Sequence, residues 1–525
     1  MLNVKRVALN TGVMYVYLII NTLVVLYTSR VTLQALGFVD FGIFSVVGGV
    51  VLLLKFLQTT MTGSVQRYLN VEMAQNRPEG VRNVFNVAFS IHLAISFLVF
   101  VIGETAGFWF LRTYLVIPPE RLVAAEWVLH FTILTFICTV MTVPCSGIFS
   151  ARENMIGTAL INLVATFGKL AAAIALLSTQ HDKLQLYAVL VFAISAATLL
   201  VNYIVCWIFY KESRFRIVRQ KKLYRELAGF ASWNVIENLA TIAKTQGTSI
   251  LFNTFFGPAV NAANGIATQI NGQVRTFSSM INTASNPQIV KTYASNDRVS
   301  MYKLVFQATK ISFFLMFTMC LPLLFEMDLI LRLWLTRVPQ YTSEFSRLIL
   351  IDALFVVLSS TLLTVARATG KIAKIQVIVG GMLLLNIPIA YLLLKQGMPP
   401  YSVFFVSIGL SLMGLIARMV LLRKRAGFSV RAFSGRVLVR LAFLVMMTVV
   451  PVIAFNLYVP DRQAQLIANL AGAPLWSVLV MWFLVFQPGE RRYVIAGIGK
   501  VLAKVTGKGR RRAKKTPSDE SEPEG

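Results

Sequence analysis

The sequence predicts an all-α polytopic membrane protein: two six-helix bundles related by a parallel repeat, plus two extra C-terminal helices, about fourteen transmembrane spans in all. Three observations predict this class: the composition, a series of apolar stretches of spanning length, and an internal match at a constant offset. Of the 525 residues, 56% are hydrophobic, and the mean hydropathy is +0.69. Soluble proteins contain roughly 45 to 50% apolar residues, so the chain is an integral membrane protein.

Apolar stretches of spanning length recur along the whole chain. Because a span needs about 20 mostly apolar residues, the sequence predicts roughly fourteen spans with ends uncertain by several residues. They lie near 7–29, 41–66, 84–109, 122–147, 156–178, 184–209, 228–252, 258–283, 304–326, 343–366, 373–394, 400–422, 437–458 and 466–486. The first span is too long, and too polar at Asn21 and Thr22, for a cleaved signal peptide.

Basic residues are concentrated in loops on one side of the predicted membrane. That side carries the run KESRFRIVRQKKLYRE at 211–226 and the tail GKGRRRAKKTPSDESEPEG. By the positive-inside rule, both termini are cytoplasmic. The net charge of +28 therefore has a topological explanation, and no folded basic domain suggests nucleic-acid binding. The four cysteines fall inside predicted spans without metal-like spacing, which is typical of apolar core residues.

An internal repeat relates the first two predicted spans to the seventh and eighth. At a constant offset of 220 positions, four residues or their chemical types recur, the pairs being Gly37 and Gly257, Lys55 and Arg275, Ala74 and Ala294, and Asn76 and Asn296. Six spans separate the copies, so the repeat is parallel. We predict an N-lobe at 1–210, a basic linker at 211–226, a C-lobe at 227–426, two additional spans at 427–487, and an amphipathic segment with a disordered tail at 488–525. Such doubled bundles are typical of transporters with a substrate site between the lobes.

A polar stripe follows the eighth span, VNAANGIATQINGQVRTFSSMIN. Its polar residues recur in steps of three and four, which places them on one helix face: Asn261, Asn264, Thr268, Asn271, Arg275, Ser278 and Asn282. The first, second, fifth and seventh spans carry sparser stripes. Polar groups facing hydrocarbon cost several kcal/mol each, so these stripes predict a hydrated cavity lined by the five spans. The alternative is that these side chains form interhelical hydrogen bonds in a dry bundle.

Charged residues inside the spans predict the chemistry of this cavity. The candidate cations are Lys55, Lys169, Lys244 and Arg275, against one acid, Glu237. A cationic surplus is expected where the ligand is an anion such as a phosphate. The alternative is a structural salt-bridge network with acids of other spans, such as Asp352. Lys310 and Arg418, near predicted cytoplasmic ends, are expected to snorkel to the surface.

Uncharged residues of the stripes are candidates for hydrogen bonding to the substrate. They are Asn21, Thr59, Asn234, Thr241, Asn264, Thr268, Asn271 and Ser278. The three histidines, His92, His130 and His181, are scattered, and no nucleophile motif, phosphate loop or metal-ligand spacing occurs. The sequence therefore predicts a transporter and not an enzyme, with no cofactor and no metal.

Several segments resemble the polysaccharide-flippase branch of the MOP (MATE-like) exporter superfamily, closest to its O-antigen and lipopolysaccharide flippases. They are NTGVMYVYLIINTLVVLYTSRVTLQALGFVDFGIFSVVGG, VPCSGIFSARENM, QGTSILFNTFFGPAVNAANGIATQINGQV with ASNPQIVKTYASND, LRLWL and ARATGKIAKIQ. The resemblance implies two lobes in a V that move undecaprenyl-diphosphate-linked oligosaccharide, an O-antigen, capsule or related precursor, across the bacterial inner membrane by alternating access. It implies coupling to a proton or sodium ion, for which Glu237 is the candidate site.

Other functions predict different cavities. A multidrug cation exporter of the same superfamily predicts a cavity with net acid and aromatic lining. A membrane scaffold for glycan assembly predicts that the stripes are dry helix contacts. The expected partners are lipid-linked oligosaccharide, membrane lipids and the glycan polymerase machinery, with no nucleic acid.

Overall fold

The computed structural model describes residues 4–152, 154–232, 235–369 and 373–491, and this part of the chain is helical without strands. The helices up to residue 209 form what we call the first half. They are α1 (Val4–Leu52), α2 (Lys55–Ala74), α3 (Pro78–Ile102), α4 (Phe108–Tyr114), α5 (Leu122–Met141), α6 (Val143–Ala151), α7 (Met155–Ser178) and α8 (Lys183–Phe209). The linker follows, with α9 (Lys221–Ser232) packed against α2.

The second half consists of the helices between Val235 and Ala426, and further helices complete the described chain. The second half contains α10 (Val235–Ala294), α11 (Arg298–Phe325), α12 (Met327–Trp334), α13 (Thr342–Ala368), α14 (Ala373–Leu384), α15 (Asn386–Lys395) and α16 (Ser402–Ala426). The additional helices are α17 (Val430–Phe433), α18 (Val439–Tyr458), α19 (Arg462–Ile467) and α20 (Ala473–Val480).

The membrane-spanning character of the helices confirms the predicted fold class. Within the described residues, 11 helical stretches are long and apolar enough to cross a membrane. The first of them, Val16–Leu52, holds parts of the first and second predicted spans. Most of the seventh and all of the eighth predicted span lie in the single long helix α10, which is not among the 11 stretches.

The repeat at 220 positions is visible in the backbone. Gly37 in α1 and Gly257 in α10 have φ of 77° and 78° with ψ near 180°, a conformation open chiefly to glycine. Each therefore bends a long helix between two spans. Helix starts recur as well: α3 and α11 begin at residues 78 and 298, and α5 and α13 begin at residues 122 and 342.

The same hydrogen-bonded turn ends α2 and α10. Asn76 and Asn296 both have positive φ, 54° and 59°. In the first turn, the amide of Asn76 donates to the Met73 carbonyl and that of Arg77 to the Glu72 carbonyl; in the second, Asn296 donates to Tyr293 and Asp297 to Thr292. Asparagine is the residue after glycine that most readily takes this left-handed conformation. The local sequence therefore specifies the same helix end twice.

The two halves touch along α1 and α10. A Cβ added at Gly42 would lie 1.8 Å from the carbonyl oxygen of Pro258, so only glycine allows this close approach of the two backbones. The Asn261 side-chain amide donates to the Gly42 carbonyl at 3.2 Å. Nearby, the Asn253 side chain exchanges two hydrogen bonds with the backbone of Val116 at 2.8 and 3.1 Å. These contacts join the halves at the end of the molecule where Gly37 and Gly257 lie.

The additional helices pack against α11, and a buried ion pair joins the two regions. Lys310 of α11, which is 1% exposed, donates to both carboxylate oxygens of Glu490 at 2.7 and 3.0 Å. The prediction that Lys310 snorkels to the surface is therefore wrong. The sequence placed the lysine near a helix end, but Glu490, far along the chain and just after the last span, covers it.

Candidate substrate cavity

A cavity of about 260 Å³ lies inside the second half of the chain. It is enclosed by α10, α13, α14 and α16, and both arms of α10 on either side of Gly257 contribute to its wall. The predicted cavity between the lobes, lined by five spans, differs from this one. Among the described residues, none from the first half lines it, because the stripe residues Asn264, Thr268, Asn271 and Arg275 face the cavity together with α13 and α16.

Among the described residues, three basic side chains and one acidic side chain line the cavity: Lys244, Arg275, Arg418 and Asp352. The Lys244 ammonium donates to Asp352 Oδ2 at 2.9 Å and to Ser411 Oγ at 3.4 Å. The Ser411 hydroxyl donates to Asp352 Oδ1 at 2.5 Å. Lys244 therefore forms the salt bridge with Asp352 that was the alternative to a free cationic site. A single carboxylate can balance only one of the three positive charges.

Arg275 supplies a positive charge that forms no ion pair with an acid of the described residues. Its side chain is exposed and lines the cavity. Within the described residues, no carboxylate lies within ion-pair distance of its guanidinium; Asp352 acts on it electrostatically from farther away. One turn earlier on the same helix, the side-chain oxygen of Asn271 is buried without a hydrogen-bond partner. Both groups therefore offer hydrogen-bonding capacity to a bound molecule.

Arg418 belongs to the cavity wall rather than to the membrane surface. It is 8% exposed, and its guanidinium donates to the hydroxyl of Ser359 at 2.6 Å. The prediction that it snorkels is wrong, because α16 carries it against α13 inside the second half. Arg418 is therefore a basic residue of the cavity wall that the stripes did not predict.

Hydroxyl and amide groups form much of the remaining wall. They come from three helices and comprise Thr241, Thr245, Thr248, Asn264, Thr268, Asn271, Ser359, Ser360, Ser407 and Ser411. Four of these, Thr241, Asn264, Thr268 and Asn271, were predicted from the stripes of the seventh and eighth spans. The rest of the predicted set lies elsewhere or has side chains outside the described residues.

The predicted residues of the first half lie apart from the cavity. Asn21 accepts a hydrogen bond from the Thr166 hydroxyl at 2.9 Å, which joins α1 to α7. Lys169 is exposed on α7, one turn beyond Thr166, and Lys55 is exposed at the first residue of α2. Thr59 lies in α2, but its side chain is outside the described residues. These residues therefore do not form one site with Lys244 and Arg275.

Three predicted residues of the second half are not among the described residues that line the cavity. Ser278 is buried, donates to the Arg275 carbonyl at 3.0 Å and contacts Met316 of α11. Asn234 lies outside the described residues, and Glu237 lies in α10 with a side chain that is likewise outside them. The coupling role of Glu237 thus stays a prediction.

The spacing rule that found the stripes also finds the residues that were missed. Asp352 and Ser359 are seven residues apart on α13, and Ser411 and Arg418 are seven apart on α16, so each pair lies on one helix face. These two spans are otherwise apolar, and single polar residues among many leucines and valines do not form a continuous stripe.

Gln269 and Gln273 of α10 were not predicted either. They accept hydrogen bonds from Ser29 at 2.6 Å and from Thr22 at 3.0 Å, both in α1.

Residues 235–392 match the family model for MatE, a range that contains all but the α16 part of the cavity. No curated protein matches this chain.

Among solved structures, the lipid II flippase MurJ in an inward closed conformation is similar, with a TM-score of 0.65 at 13% identity over 90% of this chain and 97% of that one. A multidrug resistance MATE family transporter of the MOP superfamily is similar in its inward-facing conformation, with a TM-score of 0.60 at 13% identity over 78% and 94% of the two chains. An outward-facing structure of such a transporter gives 0.56 at 13% identity over 80% and 95%. The chain therefore has the fold shared by MATE transporters and the MurJ flippase, and the match to the MatE model is confined to residues 235–392 of its second half.

Proposed function

We propose that this protein is a flippase that moves undecaprenyl-diphosphate-linked oligosaccharide, an O-antigen, capsule or related glycan precursor, across the bacterial inner membrane. The observation that carries the proposal is the charge of the cavity: among the described residues, three basic side chains and one acid line it, and Arg275 is exposed to it. Buried cationic surplus is expected where the ligand carries phosphate. The MatE match and the likeness to a lipid II flippase support the transporter class.

The size of the cavity suggests which part of the substrate it holds. At about 260 Å³, it is slightly smaller than pockets for drug-sized molecules, which are about 300 to 1,000 Å³. It suits a diphosphate with an adjoining sugar, whose hydroxyls the wall's serine, threonine and asparagine groups would bind. The rest of the glycan would lie in the passage between the halves, where Lys55, Lys169 and Asn21 remain candidate contacts. The polyprenyl chain would stay in lipid.

Alternating access requires α1 to separate from α10. The described side-chain bonds between them are few and neutral, such as Thr22 to Gln273 and Ser29 to Gln269. Neutral hydrogen bonds contribute about 0.5 to 1.5 kcal/mol each, so this contact can open at modest cost. Gly37 and Gly257 sit where each long helix bends and are candidate pivots. With the basic loops cytoplasmic, the Gly42 contact closes the outer side.

Coupling to a proton or sodium gradient is part of the proposal, with Glu237 as the candidate site. A lone acid in a cationic stripe can change its charge with conformation. Glu237→Gln should abolish the gradient dependence of transport in proteoliposomes while leaving substrate binding intact. Unchanged gradient dependence in this variant would remove Glu237 from the coupling role.

Complementation of a flippase-deleted strain tests the substrate site. At equal membrane expression, Arg275→Ala should lower surface glycan about 10- to 100-fold, because a charge-assisted hydrogen bond contributes about 1.5 to 3 kcal/mol. Lys244→Ala and Arg418→Ala should also lower it. Lys395→Ala, which removes an exposed cation at the end of α15, is the matched control and should restore wild-type glycan. Full restoration by all three cavity variants would show that the cationic-site proposal is wrong.

A multidrug cation antiporter is the second candidate, favoured by the MatE match and the MATE structures. A cationic drug requires acidic or aromatic groups. The acid lining the described cavity, Asp352, already pairs with Lys244, so the charge argues against this function. The antiporter would be supported if the protein raised drug resistance in a pump-deficient strain and failed to restore surface glycan.

A scaffold without transport activity would have dry stripes. Cysteine substitution along residues 260–282, followed by a water-soluble thiol reagent, separates the two possibilities. Transport predicts labelling at positions 268, 271 and 275, which line the cavity, and protection at the buried positions 263, 266 and 270. Uniform protection would support the scaffold.

A further inference from the structure

We infer that Asp352 is an internal anion that neutralises part of the cationic cavity when no substrate is bound, and that the substrate's phosphate displaces it from Lys244. This inference rests on the proposed function, since it concerns how the same cavity exchanges one anion for another. Asp352 is 8% exposed and is the acid that lines the cavity within the described residues.

The bonding of Asp352 is suited to release. One carboxylate oxygen, Oδ2, accepts from Lys244 of α10 at 2.9 Å, and the other, Oδ1, accepts from Ser411 of α16 at 2.5 Å. The two bonds come from different helices. If a phosphate takes over the Lys244 ammonium, the carboxylate keeps its bond to Ser411. A displaced Asp352 would therefore not become a buried charge without a partner, which would otherwise oppose the exchange.

The incoming phosphate has an advantage over the carboxylate. Lys244 and Arg275 both line the cavity, and Arg275 has no acid within ion-pair distance in the described part of the chain. A diphosphate carries more charge and more acceptor oxygens than a carboxylate, so it can bind both cations, whereas the carboxylate pairs with Lys244 alone. Substrate binding and loss of the Lys244–Asp352 contact are then the same event.

The internal anion also explains how a cavity with basic walls can stay empty. A protonated lysine buried without a counter-ion is strongly unfavourable, and the Lys244 side chain is only 14% exposed. Asp352 supplies the counter-ion in the empty protein, and the substrate supplies it in the loaded protein. In both states the lysine stays paired while the two halves move.

Binding of inorganic pyrophosphate to the purified full-length protein in nanodiscs, followed by calorimetric titration, tests the inference. Asp352→Asn should tighten binding about tenfold. If the Asp352 carboxylate occupies Lys244 about nine-tenths of the time, the wild-type protein binds pyrophosphate about tenfold more weakly than a variant without this carboxylate. Asp328→Asn removes a 60% exposed acid that pairs with Arg347 outside the cavity. It controls for net charge and should leave binding unchanged.

Ser411→Ala gives a second variant of opposite expected sign that preserves every charge. Without the hydroxyl, a displaced carboxylate has lost its remaining partner, so pyrophosphate binding should weaken several-fold. If Asp352→Asn binds no tighter than wild type, or Ser411→Ala binds no weaker, the inference is wrong and the anion site stands. If wild type, Asp352→Asn and Ser411→Ala all fail to bind pyrophosphate, the proposed anion site fails as well, and the inference with it.

Discussion

The two halves of the chain differ in the residues they carry at matching positions of the repeat. In the second half, Lys244, Arg275 and Asp352 line the cavity. The residues 220 positions earlier are Val24, Lys55 and Thr132, and they include one cation and no acid. The backbone features, in contrast, match: the bends at Gly37 and Gly257 have φ of 77° and 78°. The repeat therefore preserves the hinge-like geometry, whereas the charged site belongs to one half.

This difference separates two physical requirements. A bend needs a particular backbone conformation, which glycine supplies wherever the fold repeats. A buried charge needs a partner or a ligand, so it is kept only where function or another helix provides one. The halves should respond alike to changes in the backbone features and differently to changes in the charges, and four predictions test this contrast.

The largest expected effect concerns the buried ion pair of Lys310 with Glu490, which joins the second half to the residues after the last span. Glu490→Gln should lower the free energy of unfolding by about 3 to 5 kcal/mol, because it leaves the buried Lys310 ammonium without its carboxylate. The position matching Lys310 in the first half is Ser90, whose hydroxyl donates to the Asn86 carbonyl. Denaturant unfolding in detergent micelles measures the loss.

A matched control comes from an exposed ion pair in the first half. In the pair of Glu126 with Arg112, the arginine side chain is 55% exposed, so Glu126→Gln should cost less than about 1 kcal/mol. The double variant Lys310→Met with Glu490→Gln should recover most of the stability, because a well-packed apolar side chain replaces the buried charge. Equal losses for Glu126→Gln and Glu490→Gln would contradict the contrast between the halves.

The second prediction compares Arg275 with its repeat counterpart, Lys55. Arg275→Ala should reduce transport about tenfold more than Lys55→Ala, since the loss of a charge-assisted bond in the enclosed cavity corresponds to about 1.5 to 3 kcal/mol. Lys55 is exposed at the start of α2 and lies outside the cavity. Transport of fluorescent lipid-linked oligosaccharide in proteoliposomes gives the ratio. An equal or larger loss for Lys55→Ala would show that the site spans both halves.

The third prediction concerns the two bends, where the halves should behave alike. Gly37→Ala and Gly257→Ala should each lower the free energy of unfolding by about 1 to 3 kcal/mol, because positive φ with ψ near 180° is a backbone region essentially restricted to glycine. Nothing lies within 4 Å of a Cβ added at either glycine, so the cost comes from the backbone alone. A difference of more than about 1 kcal/mol between the variants would mean that the bends are not equivalent.

The sequence predicted the helices and the repeat well because both depend on local signals. Span length follows from apolar runs, and the match of Gly37 with Gly257 and of Asn76 with Asn296 follows from residue types that favour positive φ. The six predicted residues that line the cavity were found for the same reason, since they form continuous stripes on α10.

The rest of the cavity depends on contacts between distant segments. Asp352 and Arg418 stand as single charges in apolar spans, and only the packing of α13 and α16 against α10 reveals that they share a wall with Lys244. The burial of Lys310 depends on Glu490, 180 residues later. A hydropathy pattern contains no information about which distant acid pairs with which base. For this reason Arg418 and Lys310 were both predicted to be surface residues.

The smallest expected effect lies at the two helix ends that carry Asn76 and Asn296. Both asparagines are exposed and have left-handed backbones. Asn76→Ala and Asn296→Ala should each cost about 1 kcal/mol or less, because asparagine tolerates this conformation better than alanine, and the glycine variants should be neutral or slightly stabilising. Thermal unfolding of all four variants measures the differences. If one alanine variant lost transport at unchanged stability, that helix end would have a role in one half that the repeated backbone does not explain.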